Sequence, residues 1–331
     1  MVGSIINDKW GYMKKKSVTI IIPSYNEEAS LPHLYDALKE LMNSMPTYDW
    51  EVLFINDGSI DKTLSMIVAL YKSDNRISYV DLSRNFGKEK AMLAGFDYCK
   101  GDCAVIIDAD LQDPPCLIKD MLKYWEKGYE DVYAKRRNRG KEPWLRRKLS
   151  MMFYNMLDRS TRFEVLKNVG DFRLLDRKCI EALRQLRERE RYTKGLFCWI
   201  GYKKKEILFD RDDRIYGETH WNFWQLVGLA IEGFTSFTTI PLHIATVIGS
   251  LTALGAIIYL IWTLIKVTLW GDPVAGFPTL ISVVLFIGAV QLIAIGILGE
   301  YIGRIFNESK NRPVYLVETY KSRNIDDKAS K

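Results

Sequence analysis

Two long uncharged apolar runs occupy the C-terminal third of the chain. No Asp, Glu, Lys or Arg occurs from Pro241 to Ile265 or from Pro273 to Gly299. Each run exceeds the roughly 20 apolar residues that a helix needs to cross the hydrocarbon core of a bilayer. The pattern predicts two transmembrane helices, and the alternative is a pair of buried core helices in a soluble protein.

The charges that flank these runs predict their orientation. The connection from Trp270 to Gly276 has almost no positive charge, whereas the segment after Phe306 contains Lys310, Arg312, Lys321, Arg323, Lys328 and Lys331. Positive charge favours the cytoplasmic side, so both termini are expected in the cytoplasm. The opening residues lack an apolar stretch and a small-residue cleavage site, so no secretory signal is expected. We therefore expect an integral protein of the cytoplasmic (inner) membrane.

Strand and helix patterns alternate in the first part of the chain. Short β-branched runs occur at Val18 to Ile22, Val52 to Ile55, Ile77 to Leu82 and Ala104 to Ile107, and amphipathic helical stretches at Leu31 to Met45, Lys62 to Ser73 and Lys88 to Lys100. This alternation predicts an α/β domain on a mainly parallel, Rossmann-like sheet. In such sheets ligands bind beyond the carboxyl ends of the strands.

Two stretches combine aromatic and aliphatic residues at helical spacing with a polar minority, namely Trp144 to Leu157 and Trp221 to Phe237. This pattern favours helices lying in the headgroup layer, and ordinary core-facing amphipathic helices are the alternative. The expected division of the chain is an N-terminal extension at 1–16, the α/β domain at 17–219, a juxtamembrane amphipathic helix at 220–238, two membrane spans at 239–306 and a cytoplasmic tail at 307–331.

Charge and cysteine content exclude some classes of partner. The net charge of +6 is modest for 331 residues and does not call for nucleic acid. Basic clusters at 135–148 and 203–205 could face anionic membrane lipid or simply be solvated. The five cysteines are scattered and odd in number, so we interpret them as reduced packing residues rather than a zinc site.

Three acidic, turn-rich loops follow predicted strands, at 23–28, 56–61 and 108–113. They are expected to converge on one edge of the sheet. Neither GxGxxG nor GxxxxGK[ST] is present, so phosphate is not held by those backbone motifs. Asp108 and Asp110, a carboxylate pair after an apolar strand, suit a hard cation such as Mg²⁺ or Mn²⁺ that bridges to a diphosphate.

These segments resemble those of inverting family 2 glycosyltransferases with the GT-A fold. The resemblance is to the polyprenyl-phosphate branch, which includes dolichol-phosphate mannose synthase and bactoprenol glucosyltransferases. The matching segments are PSYNEE (23–28), NDGSID (56–61), SRNFGKEKAMLAGF (83–96), DADLQDPP (108–115), VGDFRLLDR (169–177) and RIYGETHW (214–221). The set covers most of the chain between Ile20 and Gly303 and is far more specific than DxD alone.

The resemblance implies roles for individual residues. It assigns the nucleotide base and ribose to Pro23, Tyr25, Glu27 and Asp57, and the metal and diphosphate to Asp108, Ala109, Asp110 and Gln112. Asp110 and Gln112 are the preferred metal ligands. Arg136 and Arg214 match basic positions that meet phosphate, for which the guanidinium fork is suited.

Two further positions carry alternatives. Where the family usually has Lys, this chain has His220, so either His220 is protonated beside phosphate or the role has moved to Arg211 or Lys205. Asp171 matches an aspartate on the acceptor side, and the alternative is a structural role as a capping residue or in an ion pair with Arg173. The expected catalytic group is therefore Asp108, Asp110, Asp171 and Arg214.

The expected reaction is inverting transfer of a sugar, from UDP-glucose or UDP-N-acetylglucosamine, to undecaprenyl or another polyprenyl phosphate. The acceptor phosphate has a second pKa of about 6, so it is already substantially ionised at neutral pH and needs no strong general base. Alternatives are a GDP-mannose-dependent mannosyltransferase and a non-catalytic membrane scaffold. A processive synthase is disfavoured because it would need more membrane spans and a QxxRW motif, which is lacking. A transporter is disfavoured because two helices with Gln291 as an internal polar group offer little of a pathway. The family is also compatible with a homo-oligomer.

Overall fold

The computed structural model describes residues 15–137, 166, 169–189, 191–209, 240–270 and 276–323. In this part of the chain, one eight-stranded sheet runs in the order β7-β5-β6-β4-β1-β2-β3-β8. Its strands are β1 (Ser17–Ser24), β2 (Asp49–Asn56), β3 (Ile77–Leu82), β4 (Cys103–Ile106), β5 (Asp131–Arg136), β6 (Val169–Asp176), β7 (Lys204–Phe209) and β8 (Val317–Lys321).

The sheet is mixed, with a parallel centre. β1 pairs in parallel with β2 and β4, and β2 pairs in parallel with β3. β6 is antiparallel to both β4 and β5, and β8 is antiparallel to β3. The four strands predicted from β-branched runs are those of the parallel centre, so the predicted mainly parallel α/β sheet is confirmed.

Helices cover both faces of the sheet. They are α1 (Leu31–Ser44), α2 (Thr63–Ser73), α3 (Lys88–Tyr98), α4 (Ile118–Glu126), α5 (Arg177–Gln185) and α6 (Thr193–Trp199). Ile20 and Ile22 belong to the core on the side of α1, whereas Ile21 belongs to the core on the side of α3. Because successive strand residues point to opposite faces, one continuous apolar strand fills two cores.

A glycine fixes how closely α3 approaches the sheet. A Cβ placed on Gly95 would lie 2.3 Å from Cγ2 of Ile21, which is too close for any side chain. The helix backbone therefore rests directly on β1. This close approach determines where the N-terminus of α3 meets the carboxyl ends of the strands.

Two long helices follow, α7 (Ile240–Trp270) and α8 (Phe277–Ser309), and they pack against each other. Within α8, Phe286–Ser309 is long and apolar enough to cross a membrane, with a mean hydropathy of 1.7, and none of it is buried. In α7 the corresponding apolar stretch, Ala245–Tyr259, is shorter. Among the described residues one helix therefore meets the length and hydropathy expected of a span, where the sequence predicts two.

The segment after α8 returns to the sheet. β8 pairs with β3, and Arg323 beyond it donates to both carboxylate oxygens of Asp49, at 2.9 and 2.6 Å. The sequence predicts only a cytoplasmic tail here. The interfacial helices expected at 144–157 and 221–237 lie outside the described residues.

Candidate active site

A cavity of about 230 Å³ lies at the carboxyl edge of β1, β2 and β4. Its lining comprises Pro23, Ser24, Tyr25, Glu27, Asp57, Asn85, Gly87, Lys88, Ala91, Asp108, Ala109 and Asp110. Residues from all three acidic loops thus meet at one place. Every residue to which the resemblance assigns the base, ribose or diphosphate lines this cavity, apart from Gln112 and the basic positions.

The loops after β1 and β2 are joined by reciprocal hydrogen bonds. The amide of Asn26 donates to Oγ of Ser59 at 3.1 Å, and the amide of Ile60 donates to Oδ1 of Asn26 at 2.9 Å. Asn26 has a φ of 55°, a left-handed conformation that asparagine tolerates better than most residues. The two loops therefore form one rigid wall, on which Tyr25 is 44% exposed.

Asp57 joins that wall to the loop before α3. Its carboxylate accepts hydrogen bonds from the amides of Phe86 at 2.7 Å and Gly87 at 2.9 Å. Burial raises the pKa of Asp57, and these amide donors oppose the rise. A residue expected to bind the nucleotide is therefore also a fixed support for the backbone at Gly87, where φ is 96°.

Lys88 bridges two aspartates that the sequence assigns to the site. Its ammonium lies 2.7 Å from Oδ1 and 2.8 Å from Oδ2 of Asp108, and 2.7 Å from Oδ2 of Asp171. Asp171 lies on β6, on the other side of β4 from β1. The ammonium therefore ties the donor-side loop to the strand expected on the acceptor side.

Opposite charges set the ionisation of this pair. Burial raises the pKa of Asp171, but the nearby Lys88 ammonium outweighs burial and lowers the pKa to about 2. Burial lowers the pKa of Lys88, and the two carboxylates outweigh it and raise that pKa. Both groups are thus charged at neutral pH. The alternative named Arg173 as the ion-pair partner of Asp171. In the structure Asp171 pairs with Lys88, and Arg173 pairs with Asp131 at 3.1 Å.

The loop after β4 presents oxygen ligands. Leu111 has a φ of 59°, which turns the chain between Asp110 and Gln112, and the amide of Gln112 donates to Oδ1 of Asp110 at 3.2 Å. Oε1 of Gln112 is buried and has no hydrogen-bond partner among the described residues. A buried acceptor without a donor is uncommon in folded proteins, and a cation would satisfy it.

The donor set fits a hard divalent cation, although it is small. Among the described residues no group of three or more His, Cys, Asp and Glu side chains is placed to hold a metal ion. Asp108 contacts Lys88, and the same loop adds the carboxylate of Asp110 and the amide oxygen of Gln112 as oxygen groups that could bind a cation. Such a site suits Mg²⁺ or Mn²⁺, which take their remaining oxygens from water and substrate phosphates.

Of the residues expected to meet phosphate, the structure describes Arg136 and Lys205. Arg136 ends β5 near Gly170 and does not line the cavity, and its Nε is buried without a hydrogen-bond partner among the described residues. Arg211, Arg214 and His220 lie outside the described residues. Lys205 lies on β7, at the far edge of the sheet.

Sequence reasoning missed Lys88. The residue stands in the SRNFGKEK segment that carries part of the resemblance, but a lysine at a helix start has many ordinary uses. The signal available in the sequence was the pair of Gly87 and Lys88 directly after a strand and loop. Only the pairing of β4 with β6 brings Asp171 within reach of that ammonium.

The family model for glycosyl transferase family 2 matches residues 19–184, and the model named GtrB C-terminal hairpin matches residues 240–305. The chain is 45% identical over 300 residues to an uncharacterized glycosyltransferase of Synechocystis, covering 91% of this chain and 94% of the relative. This protein belongs to glycosyl transferase family 2. The predicted resemblance and the GT-A type of α/β domain are thereby confirmed.

Two other relatives of this family 2 glycosyltransferase have more specific names. The bactoprenol glucosyl transferase of Shigella phage SfV is 41% identical over 306 residues, covering 92% of this chain and 99% of the relative. The prophage bactoprenol glucosyl transferase homolog of Escherichia coli is 40% identical over 304 residues, with the same coverage of 92% and 99%.

The five cysteines of this glycosyltransferase form no disulfide. Four are buried, and Cys116 is exposed. Burial raises the pKa of Cys99 to about 12, which keeps that thiol protonated and unreactive at neutral pH. The predicted role as reduced packing residues is consistent with this for the four buried ones.

Proposed function

We propose that this protein transfers a sugar from a nucleotide-sugar donor to polyprenyl phosphate at the cytoplasmic face of a membrane, with the help of a divalent cation. The observation that carries the proposal is the cavity at the carboxyl edge of the sheet, where loops after three parallel strands bring Tyr25, Asp57 and Asp110 together. Such an edge is where α/β sheets bind ligands.

The acceptor is supported by two independent features. Relatives at 40–41% identity, matched over 99% of their length, are named bactoprenol glucosyl transferases or a homolog of one. In α8, Leu292, Ile293 and Ile295 are each more than 60% exposed. The half-buried positions of α8 recur at 287, 290, 294 and 297 and form one stripe, while apolar side chains on the opposite face are exposed, as in a helix that contacts lipid.

We further propose that α7 and α8 form a membrane hairpin with both chain termini in the cytoplasm. The match to the GtrB C-terminal hairpin over residues 240–305 supports two spans. The basic residues after α8, compared with the almost uncharged connection between the helices, support a cytoplasmic tail. This arrangement places the catalytic body on the side of the membrane that holds nucleotide sugars.

The chain's own residues then have distinct tasks. Tyr25, Glu27 and Asp57 bind the base and ribose at the rigid wall, while Asp110 and Gln112 hold the cation. When bound, Mg²⁺ or Mn²⁺ neutralises charge on the departing nucleotide diphosphate. Asp171, held ionised by Lys88, orients the acceptor side, and Arg136 with Arg214 and His220 supplies donors for phosphate.

No strong general base is required. The acceptor is a phosphate monoester with a second pKa of about 6, so it is mostly a dianion at neutral pH. One of its oxygens attacks the anomeric carbon as the bond to the nucleotide diphosphate breaks. Attack opposite the leaving group inverts the anomeric centre, so an α-linked donor gives a β-linked lipid phosphate. Positioning and charge neutralisation supply the catalysis.

The test is a transfer assay with purified protein in detergent. The protein is incubated with undecaprenyl phosphate, Mg²⁺ or Mn²⁺, and labelled UDP-glucose, UDP-N-acetylglucosamine or GDP-mannose. The expected result is labelled lipid from a UDP-sugar, loss of transfer in EDTA, and loss in Asp110→Asn with an unchanged melting temperature. Transfer from GDP-mannose alone would support the mannosyltransferase alternative. No labelled lipid from any donor would support a non-catalytic scaffold.

A further inference from the structure

Lys88 provides the cavity with a cation to which the resemblance assigned no role. It is the first residue of α3, and its side chain is 43% exposed although its ammonium contacts two aspartates. Asp171, in contrast, is only 8% exposed. The ammonium therefore stands at the boundary between a buried carboxylate and the open space of the cavity.

The backbone before Lys88 is held in place. The amides of Phe86 and Gly87 both donate to Asp57, and α3 rests on β1 through Gly95. The carboxylates of Asp108 and Asp171 hold the other end of the side chain. A lysine fixed at both ends loses little further conformational entropy when it binds a ligand.

The charges around the cavity show why this ammonium matters. Among the residues lining the cavity, Glu27, Asp57, Asp108 and Asp110 are acidic and Lys88 alone is basic. A diphosphate that enters such a cavity meets repulsion unless cations offset it. One divalent ion and one fixed ammonium would together supply three positive charges against these four carboxylates.

We propose that Lys88 directly contacts a phosphate group of a substrate, an inference that rests on the proposed function. An ammonium has three N–H donors. One can serve the two oxygens of Asp108 and one serves Oδ2 of Asp171, which leaves a donor for a phosphate oxygen. The phosphate belongs either to the donor's diphosphate or to the acceptor lipid, because the resemblance assigns Asp108 to the diphosphate and Asp171 to the acceptor side.

Two substitutions and a control test this inference. Lys88→Met removes the charge and keeps the length, and Lys88→Arg keeps the charge. Lys123→Met is the control, because Lys123 does not line the cavity and forms an exposed ion pair with Asp120 on α4. Binding of UDP with MnCl₂ is measured by calorimetry, and KM is measured separately for the nucleotide sugar and for undecaprenyl phosphate in detergent micelles.

We expect Lys88→Met to weaken binding at least tenfold, Lys88→Arg to recover part of it, and Lys123→Met to bind like the wild type. A rise in the Kd of UDP and the KM of the donor identifies the diphosphate as the partner. A rise confined to the KM of undecaprenyl phosphate identifies the lipid phosphate. Unchanged values for both substrates in Lys88→Met would overturn the inference.

A second comparison distinguishes a phosphate contact of Lys88 from a purely structural role. Lys88→Met leaves the buried carboxylate of Asp171 without its cation, so that variant could lose binding through local unfolding. Comparing the single variant Asp171→Asn with the double variant Lys88→Met/Asp171→Asn removes this difficulty, because neither protein has a carboxylate at position 171. Weaker phosphate binding in the double variant than in Asp171→Asn supports the contact, and equal binding of both substrates overturns it.

The outcome for Lys88 is distinguishable from that for the proposed function. If the wild type transfers no sugar from any donor but Lys88→Met binds UDP more weakly, the transferase proposal fails and the phosphate contact stands. If the wild type transfers sugar and Lys88→Met has the same kinetics, the transferase proposal stands and the contact fails.

Discussion

Arg173 and Asp131 form an ion pair inside the sheet, with Nη1 of the arginine 3.1 Å from the carboxylate and side chains that are 1% and 0% exposed. The guanidinium also lies 3.7 Å from the ring centroid of Phe197. Arg173 and Asp171 are two residues apart on β6, so they point to the same face of the sheet. The buried pair therefore helps to fix the strand that presents Asp171 to Lys88.

Removing one partner of this pair should destabilise the protein strongly. Arg173→Met leaves the carboxylate of Asp131 buried without its cation, and burial already raises the pKa of that group. We expect a loss of about 3–5 kcal/mol in the free energy of unfolding, measured by urea denaturation. Lys135→Met is the control, since its pair with Glu206 is exposed and should contribute at most about 1 kcal/mol. Equal losses in the two variants would contradict this reasoning.

Gln112 should matter for the cation and little for stability. Its Oε1 is buried and has no hydrogen-bond partner in the described part of the chain, a condition that costs about 1–3 kcal/mol in a folded protein. Gln112→Met is therefore expected to keep the melting temperature and to lower the affinity for Mn²⁺ in the presence of UDP. Electron paramagnetic resonance of free Mn²⁺ measures that affinity.

The control for Gln112 is Gln185→Met, at the exposed end of α5. It should change neither the melting temperature nor Mn²⁺ binding. A large loss of stability in Gln112→Met with unchanged Mn²⁺ affinity would mean that the amide is structural and that the cation is held elsewhere.

The pH dependence of transfer should come from the acceptor and not from Asp171. The folded protein holds the pKa of Asp171 at about 2, below the value of roughly 3.9 in an unfolded chain. Its contribution to stability is therefore complete above about pH 4 and is lost only as the pH falls through 2. The acceptor phosphate gains a proton below about pH 6, so the rate should fall there.

Profiles of kcat/KM for undecaprenyl phosphate between pH 5 and 9 test this assignment. The acid limb should have the same midpoint in the wild type and in Asp171→Asn, even though the variant is slower. Disappearance of that limb in Asp171→Asn would identify the aspartate as the titrating group and would contradict its pairing with Lys88.

Asp57 should combine a binding role with a structural one. Asp57→Asn keeps one acceptor oxygen but places an amide donor against the N–H of Phe86 or Gly87. The loss of one charge-assisted hydrogen bond should cost about 1.5–3 kcal/mol. Hydrogen exchange at these two amides should become faster, together with a higher KM for the donor. A higher KM with unchanged exchange would restrict Asp57 to ligand binding.

The centre of the fold was predictable because local patterns determine it. Val18 to Ile22 is a continuous β-branched run and Val52 to Ile55 a continuous apolar one, and the turn residues after them place Tyr25 and Asp57 at one edge. The contact of Lys88 with Asp171 was not predictable, because it joins positions far apart in sequence through the pairing of β4 and β6. No local pattern encodes such a distance.

The strand β8 was not predictable from the sequence, for a different reason. Val317 to Lys321 is short and polar, with residues of intermediate burial and exposed residues in its burial pattern. Such an edge strand lacks the clear alternation that marks a half-buried strand. Its position is decided by contacts made elsewhere, among them the hydrogen bonds of Arg323 and the contact of Tyr315 with Asp97.

The strand β8 should fasten the helices α7 and α8 to the α/β domain. It covers the edge of β3 from Tyr79 to Leu82, and Arg323 beyond it binds Asp49 and the carbonyl of Trp50. Removal of residues after Leu316 would leave β3 with unpaired backbone groups, a condition that favours aggregation. We expect faster hydrogen exchange along β3 and a lower melting temperature.

Single substitutions distinguish the contribution of the Arg323 contacts to stability from that of the strand β8 itself. Arg323→Gln removes a bidentate, partly buried contact and should cost about 1–2 kcal/mol. Lys321→Gln, at an exposed position of the same segment, should stay within about 0.5 kcal/mol of the wild type. If the shortened chain protects β3 as well as the full chain does, the strand is not what covers that edge in solution, and the helices must be joined to the catalytic body through other contacts such as that of Arg189 with Glu308.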